Sequence, residues 1–435
     1  MMLEKFTKNI RTNFPFLENS RFFVAVSGGI DSMVLVHLFQ HFKFEFGLLH
    51  CNFKLRGEES EADMRFIHDY ANENNLNLKI GFFETAKIAF EMKTSIQVAA
   101  RELRYSWFYE QMEENNAFFV ATAHHADDNL ETFIINLSRG TGLDGLTGIP
   151  EINDKIIRPL LPFSRKEIED YAKKHHLKWR EDSSNASDKY LRNKIRHQLI
   201  PVLKDLNPNF LESFQNTQSF LQNSQELVKD AAYIVYKEVV TENDSEIRFN
   251  VEALKQISHY KSYLYEWLKD FGFKAWNDIY NLVDAQSGKQ VFSENYRLLK
   301  DRNFLILQKI EDSNTEIYFV AENQIEVKIP LNITFEMVKY ISKLQNTTIF
   351  VDKNLLQFPL SIRKHNEGDF FYPAGMKGKK KISKFFKDEK MSLIEKEKTW
   401  LLCSKNEIIW VMGKRADERF VATEATENIL KISIL

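Results

Sequence analysis

The chain has 435 residues, 43% hydrophobic and 28% charged, a length that predicts two or three domains with real hydrophobic cores. The balance of 59 Lys+Arg against 61 Asp+Glu excludes a general polyanion binder, so any nucleic-acid surface must be a local basic patch. Two cysteines far apart, Cys51 and Cys403, exclude a disulfide framework, a CxxC pair and a zinc knuckle, in keeping with a reducing, cytoplasmic setting.

At the start, MMLEKFTKNIRTNF holds no apolar run of signal-peptide length, and no 18-residue apolar run follows, so no membrane segment is expected. Over the first 200 residues, short apolar runs alternate with helical patterns. Strands are predicted at 22–26, 46–51, 78–83 and 118–123, with a fifth at 156–161, and helices at 32–42, 58–75, 95–115 and 128–138. Such alternation predicts α/β architecture, a parallel sheet with helices on both faces. Ligands then bind beyond the carboxyl ends of the strands, where the polar clusters fall. From about 206 to 310, Phe, Gln, Asn and Leu recur at helical spacing, which predicts a mainly helical domain. Residues 316–350 alternate like strands, and 355–435 read as a small α+β unit. The domains are set at 1–205, 206–315 and 316–435.

The first strand runs into VAVSGGIDS, residues 24–32. Glycines let backbone N–H groups approach an anion, and a following helix N-terminus adds partial positive charge. Ser27, Gly28, Gly29, Ile30 and Ser32 therefore form a phosphate cradle. It is not a Walker A loop, since no GxxxxGK[ST] occurs. Asp31 beside a phosphate is repulsive unless a cation intervenes, which implies Mg²⁺. The competing reading is an ordinary strand–helix turn capped by Ser27 or Asp31. The SGGxDS pattern resembles the PP-loop of the ATP pyrophosphatase superfamily, whose members cleave ATP between the α and β phosphates and adenylate a carbonyl oxygen.

Further clusters follow the later strands. HCNFKLRGEESEAD (50–63) carries His50, Asn52, Leu55 and Arg56; its four acids read as a charged helix start. In VAARELRYSWF (98–108), Arg101 and Arg104 share a helix face. They suit ATP phosphates or an RNA backbone, or else pair with Glu102 or Glu110 at the surface. ATAHHADDNLET (121–132) sets His124 four residues from Asp128 and Asp127 four from Glu131. Carboxylate coordination of Mg²⁺, base work by a histidine, and zinc ligation are all open to such a set; ATP chemistry favours Mg²⁺. Residues 189–204 hold Lys189, Arg192, Lys194, Arg196 and Lys204 and no acid, a stripe suited to phosphates. Residues 376–390 hold seven lysines and two acids, with Phe385 and Phe386 among them.

Taken in order, HxNxxLR, ARxxRY, HHxDDxxET…RGTGLxGL, RPLL (158–161), DSSN (182–185), RNxIR (192–196), GDFFYPAGMKGKKKISKFF and IIWVMGKRADERF resemble the tRNA(Ile)-lysidine synthetase family. Phe53 stands where that family commonly has a second histidine, and Ala123 replaces its usual glycine. The resemblance covers about 20–205 and 360–420. It implies an N-terminal parallel-sheet, Rossmann-like PP-loop ATPase domain, a helical domain and a small α+β C-terminal domain, the last two contacting tRNA. The implied reaction uses ATP to adenylate C2 of the wobble cytidine of tRNA(Ile) with a CAU anticodon. Free L-lysine then attacks, leaving lysidine, AMP and diphosphate, and decoding switches from AUG to AUA.

The implied catalytic set is Asp31, Asp128, His124, Arg101 and Arg192, with Asp31 and Asp128 on the metal. His50 joins the turn in binding ATP, and Arg139, Arg196, Lys379, Lys380 and Lys381 face tRNA. The resemblance also suggests a homodimer. Two alternatives are a PP-loop tRNA thiolase, which two unpaired cysteines disfavour, and a tRNA-binding protein without turnover, which the intact acidic clusters disfavour.

Overall fold

A computed structural model describes residues 2–181, 191–310, 316–342 and 346–435. It divides into two units, Met1–Lys229 and Asp230–Leu435.

Unit one opens with α1 (Met2–Asn13), then alternates β1 (Phe22–Ala25), α2 (Ile30–His41), β2 (Phe46–Asn52), α3 (Glu58–Glu73), β3 (Leu78–Phe82), α4 (Thr85–Glu91), α5 (Ile96–Glu114), β4 (Phe119–Ala121) and α6 (Ala126–Arg139). A short α7 (Leu143–Leu146), the hairpin β5 (Ile152–Asn153) and β6 (Ile156–Ile157), and α8 (Arg165–Lys174) follow. The sheet order is β3-β2-β1-β4-β6-β5, parallel except for the β5–β6 edge. The order reverses between β1 and β4, and clefts form at such points.

One sheet face packs Phe22, Val24 and Leu48 against α1, α2 and α8 through Phe6, Phe39 and Ile168. The other packs Phe23, Leu49 and Val120 against Phe108 and Met112 of α5. With apolar side chains needed on both faces, β1 is a continuous apolar run rather than an alternating one. The strands and helices expected from the sequence stand within a few residues of their predicted bounds, except that only Ile156–Ile157 of 156–161 is strand.

α9 (Leu191–Lys194), a π-helical turn (Ile195–Leu199), α10 (Ile200–Leu206) and the long α11 (Phe210–Val239) complete the N-terminal helical run; the last ten residues of α11 belong to unit two. The DSSN motif and Lys189 lie outside the described residues.

Unit two holds the expected helices and, beyond them, a five-stranded antiparallel sheet that the helical spacing of 206–239 does not announce. It is formed by β7 (Val240–Asn243), β8 (Glu246–Asn250), β9 (Gln290–Phe292), β10 (Tyr296–Asp301) and β11 (Phe304–Lys309), in the order β7-β8-β11-β10-β9. Helices α12 (Val251–Gln256), α13 (Tyr260–Leu268) and α14 (Trp276–Leu282) cover it around Phe249, Leu264, Leu298 and Leu305.

The C-terminal part has nine strands in two further sheets. One is β12 (Tyr318–Val320), β16 (Leu360–Arg363), β19 (Leu401–Ser404), β20 (Glu407–Val411) and β21 (Arg415–Ala416). The other is β13 (Glu326–Val327), β14 (Ile333–Val338), β15 (Thr348–Asp352) and β22 (Ile429–Ile434). They share a core centred on Trp410, Leu360, Val351 and Ile432. A two-stranded piece, β17 (Phe370–Phe371) and β18 (Lys380–Lys381), precedes α15 (Ile382–Asp388) and α16 (Leu393–Lys398). Among the described residues, no helix is long and apolar enough to cross a membrane.

Candidate active site

A cavity of about 440 Å³ opens at the carboxyl ends of β1, β2 and β4, lined by Ser27, Asp31, Ser32, Arg104, Tyr105, Thr122, His124, Asp128 and Arg192 among others. A larger hollow, about 700 Å³, lies at the amino ends of β1 and β2 beside Arg21 and Glu45. It is at the wrong end of the sheet for a parallel α/β fold.

The turn after β1 is built for an anion. Gly28 has φ +85°, a conformation that L side chains rarely adopt. Ser32 Oγ donates to Gly29 O at 2.9 Å and accepts from Ser27 N at 3.3 Å, which folds the turn back on the helix. Gly29 is the N-cap of α2 and no side chain caps that helix, so its first-turn N–H groups face the cavity mouth uncapped by protein. The capped-turn reading of Ser27 or Asp31 is thereby excluded.

Asp31 and Asp128 converge on one imidazole. His125 Nε2 lies 3.7 Å from Asp31 Oδ1 and 3.5 Å from Asp128 Oδ2. His125 is the buried N-cap of α6 in a reciprocal box: its ring accepts from Asp128 N, and Asp128 Oδ2 accepts from His125 N at 3.1 Å. Burial raises the Asp31 carboxyl above its ordinary value against the pull of His125 and Arg165. Burial also pushes on Asp128, but His125, Arg192, His124 and the His125 N–H together hold it below the ordinary value. Two neighbouring acids are thus pushed apart in proton affinity. His124 is driven down to about 4, by burial first and then by Arg158, Arg192 and Arg104 against Asp128. It is neutral near pH 7 and a weak base, with Thr122 Oγ1 at 3.0 Å from its Nδ1.

Arginines frame both acids. Arg165, the first residue of α8, places Nη1 at 2.8 and 2.7 Å from the two Asp31 oxygens. Arg192 and Arg196 grip Glu131, which is fully buried: Arg192 Nε lies 2.7 Å from Oε2 and Arg196 Nη2 3.0 Å. Both also reach Asp128 Oδ1, at 3.4 and 3.3 Å. Asp127 faces elsewhere, held by Arg165 N at 2.8 Å and Lys204 Nζ at 2.7 Å, so it pins α8 and α10 to α6.

His50 donates from Nδ1 to Val26 O at 2.9 Å. Burial lowers its proton affinity, so the ring is neutral and Nε2 is an acceptor, buried with no protein partner. That atom suits a nucleoside hydroxyl or amine rather than a phosphate. Of the four acids after His50, Asp63 is not a solvated helix start. It is buried and bonded to Arg56 at 2.9 Å and Arg180 at 2.5 Å, while Arg180 N donates to Gly28 O. Phe53 stacks on Phe83 at 5.5 Å and lies beneath the Arg104 guanidinium at 5.2 Å. A ring in place of the family's histidine thus holds a cation at the cavity wall.

Arg101 is exposed, lies over the Tyr105 ring at 4.9 Å and does not line the cavity; Arg104 does. Arg196, grouped by sequence with tRNA contacts, sits instead in the Glu131 cluster. Arg139 is exposed at the end of α6. In unit two, Lys379 Nζ lies 3.3 Å from the ring centre of exposed Phe370, Lys380 pairs with Asp388, and Lys381 is exposed. Phe385 and Phe386 are not interleaved at the surface: both are core, because α15 turns them onto Leu401 and Cys403.

The sequence reading missed Arg165 and Arg180 as parts of the site; it names Glu131 within the acidic cluster and Arg158 within the RPLL motif, without their partners. One signal was present: Ser164-x-x-Glu167 is a capping box, which puts Arg165 in the first turn of a helix just after β6.

Among the described residues, no group of three or more His, Cys, Asp or Glu is arranged to hold a metal by itself. Mg²⁺ fits the site in its usual manner, through one or two carboxylates with substrate oxygens and water completing the shell. Asp31 and Asp128, 3.7 and 3.5 Å from His125 Nε2, are two carboxylates close enough together for such a role.

Three family models match the chain: a PP-loop domain over residues 2–203, a TilS substrate binding domain over 242–310 and a TilS substrate C-terminal domain over 360–434. The tRNA(Ile)-lysidine synthase of Parabacteroides distasonis is 37% identical over 418 residues, covering 95% of each chain. That of Bacteroides thetaiotaomicron is 37% identical over 443 residues, covering 100% of each. That of Porphyromonas gingivalis is 35% identical over 438 residues, covering 96% of this chain and 95% of the relative.

Proposed function

Because this chain belongs to the tRNA(Ile)-lysidine synthase family, we propose that its cavity carries out the two chemical steps of lysidine formation on one set of side chains. The enzyme is a ligase. It uses ATP to activate C2 of the wobble cytidine of tRNA(Ile) and joins lysine to it. In the first step the cytosine O2 attacks the α-phosphorus and diphosphate leaves. In the second, an amine of free lysine attacks C2 and AMP leaves.

One observation carries the assignment of roles: Asp31 and Asp128 meet at His125 beside an uncapped helix N-terminus, inside a ring of arginines. The turn Ser27–Ser32 binds the nucleotide phosphates through backbone N–H groups and hydroxyls. Asp31 and Asp128 would hold Mg²⁺, which supplies charge neutralisation on the phosphates. Arg192 and Arg196, oriented by Glu131, offset the charge that develops on the leaving diphosphate. Arg104 faces the same cavity from α5. His50 Nε2 accepts from the nucleoside. His124 stays neutral and orients a donor. Arg139 and, in unit two, Lys379 with Phe370 and Lys381 offer tRNA exposed cations beside an aromatic face, with Lys380 paired to Asp388 between the two lysines.

Thiolate chemistry is not supported. Burial pushes the Cys51 thiol up to about 12 and the Cys403 thiol up to about 11, and the two lie in different units. The test is incorporation of labelled lysine into an unmodified tRNA(Ile) transcript with a CAU anticodon, with ATP and Mg²⁺, beside a transcript bearing uridine at the wobble position. Label on the cytidine transcript alone is expected. Label on neither, with tRNA and ATP still bound, would overturn the reading.

A further inference from the structure

Every arginine around the two acids has a carboxylate partner, and three nearby arginines have none. Arg165 pairs with Asp31, and Arg192 and Arg196 pair with Glu131. Arg56 and Arg180 pair with Asp63. By contrast, no carboxylate among the described residues lies within ion-pair distance of Arg101, Arg104 or Arg158. Arg101 and Arg158 neighbour Tyr105, and Arg104 lines the same cavity as Tyr105.

Arg101 lies over its ring at 4.9 Å. Arg104, the preceding residue, lines the cavity with it. Arg158 is 4% exposed and donates Nη1 to Pro150 O at 2.7 Å, with the Tyr105 side chain as an electrostatic neighbour. Among the described residues its Nε is buried with no partner. A buried cation without a counter-charge is expensive, and Arg101 adds repulsion to it. A pocket that keeps such a cluster is complementary to an anion that arrives with a substrate.

We propose that Tyr105 and Arg104, backed by buried Arg158, bind the α-carboxylate of the free lysine substrate. Guanidinium N–H groups donate to carboxylates in strong, charge-assisted bonds. The ATP phosphates already have the turn, Arg192 and Arg196 at the other end. The same cavity joins Tyr105 to His124 and Asp128, so an amino acid anchored by its carboxylate at Tyr105 extends its side chain toward the acidic end. A polynucleotide phosphate is the other anion the chemistry admits, but Tyr105 and Arg104 line a cavity rather than an outer face. The arrangement therefore selects an amino acid over a simple diamine.

This rests on lysine being the amine substrate, and the experiment separates the two ideas. The full-length enzyme is assayed on the cytidine transcript with lysine, lysinamide and 1,5-diaminopentane, followed by mass spectrometry of the modified nucleoside. The variants are Arg104→Met, which removes the cation that lines the cavity, and Tyr105→Phe, which keeps the ring; Arg158→Met is added where it folds.

Wild type is expected to favour lysine over lysinamide in kcat/KM by about tenfold or more, the worth of one charge-assisted contact. Each variant should raise KM for lysine by about tenfold with kcat nearly kept, while kcat/KM for lysinamide and KM for tRNA move less than about twofold. Equal losses on lysine and lysinamide would overturn the proposal. So would a raised KM for tRNA with a shallower salt dependence, which would assign the cluster to a tRNA phosphate. A wild-type enzyme that accepts lysine and lysinamide alike defeats this proposal alone; one that labels no transcript defeats the reading beneath it.

Discussion

Arg165 Nη1 bridges both carboxylate oxygens of Asp31, at 2.8 and 2.7 Å, across 134 residues of sequence. Arg165→Met should therefore act on Asp31 without moving Asp127, which uses only the Arg165 backbone N–H. Supporting residues of this kind typically affect activity by about 10- to 100-fold, and a loss in that range is expected in tRNA-dependent diphosphate release. The sign of the pH effect follows from charge. Burial already raises the Asp31 carboxyl, and Arg165 is one of the groups that lower it. Without Arg165 the carboxyl protonates at higher pH, so the acid limb of the activity profile should move up. An unmoved limb would show that Asp31 does not need its arginine.

Glu131 is the inner member of the other cluster, fully buried with Arg192 and Arg196 on its two oxygens. Glu131→Gln keeps the shape, removes the charge and turns an N–H₂ toward a guanidinium. Breaking a fully buried pair costs 3–5 kcal/mol; these arginines are more than one-third exposed, so about 2 kcal/mol is the better expectation. For a unit of this size that is a fall in Tm of roughly 4–8 °C. Activity should drop about 100-fold even at temperatures where the variant is folded, because both arginines lose their orientation. A variant with normal stability and normal diphosphate release would remove Glu131 from the site.

Much of the fold was legible because its signals are local. Phe22–Ala25 and the 46–49 part of the second strand pack on both faces, so they read as apolar stretches without alternation. The turn at 27–32 was legible for the same reason: strand, glycines and helix are adjacent in the chain. What was not legible depends on distance along the sequence. Arg165 meets Asp31, Arg180 meets Asp63, and Arg192 meets Glu131, each more than 60 residues away. No periodicity encodes such a meeting. The sheet of unit two was hidden by length, since β7 and β8 have four and five residues beside a 30-residue helical pattern. Phe385 and Phe386 misled for a third reason: a lysine-rich helix still needs an inward face, and those two rings supply it.

Away from the cavity, α2 and α8 are joined by His37 Nδ1 and the Tyr171 hydroxyl at 2.9 Å, with His175 against both rings. Burial first, then His175 and His41, lower the proton affinity of His37. His175 is lowered too, by burial first and then by Lys174, His41 and His176. A histidine depressed in the folded state binds its proton more readily when unfolded. Stability is therefore highest above the unfolded value of about 6.5 and falls as pH drops below it, the loss levelling off below the folded value. The wild-type Tm should decline between pH 7 and pH 5, and His37→Gln should flatten that decline while lowering Tm at pH 7. Equal slopes for both proteins would exclude His37 as a source.

In the C-terminal sheets, the RADERF segment is fastened through Asp417. Asp417 is completely buried and accepts from Tyr372 N at 2.9 Å, Arg419 N at 3.0 Å, Arg419 Nε at 3.0 Å and Arg419 Nη2 at 2.9 Å. The same guanidinium lies over the Tyr372 ring at 4.5 Å. One carboxylate thus ties the segment after β20 to the strand pair at 370–381 that carries the exposed lysines. In Asp417→Asn, an amide N–H₂ meets at least one N–H donor, leaving buried donors without an acceptor. The expected loss is about 2–3 kcal/mol in unit two. Thermal unfolding should show it as a transition lowered by several degrees. At temperatures where the variant is still folded, lysine labelling and KM for tRNA should stay within about twofold of wild type, because Asp417 itself offers tRNA nothing but a buried negative charge. Unchanged thermal stability with weakened tRNA binding would reverse this assignment and make the segment part of the tRNA surface.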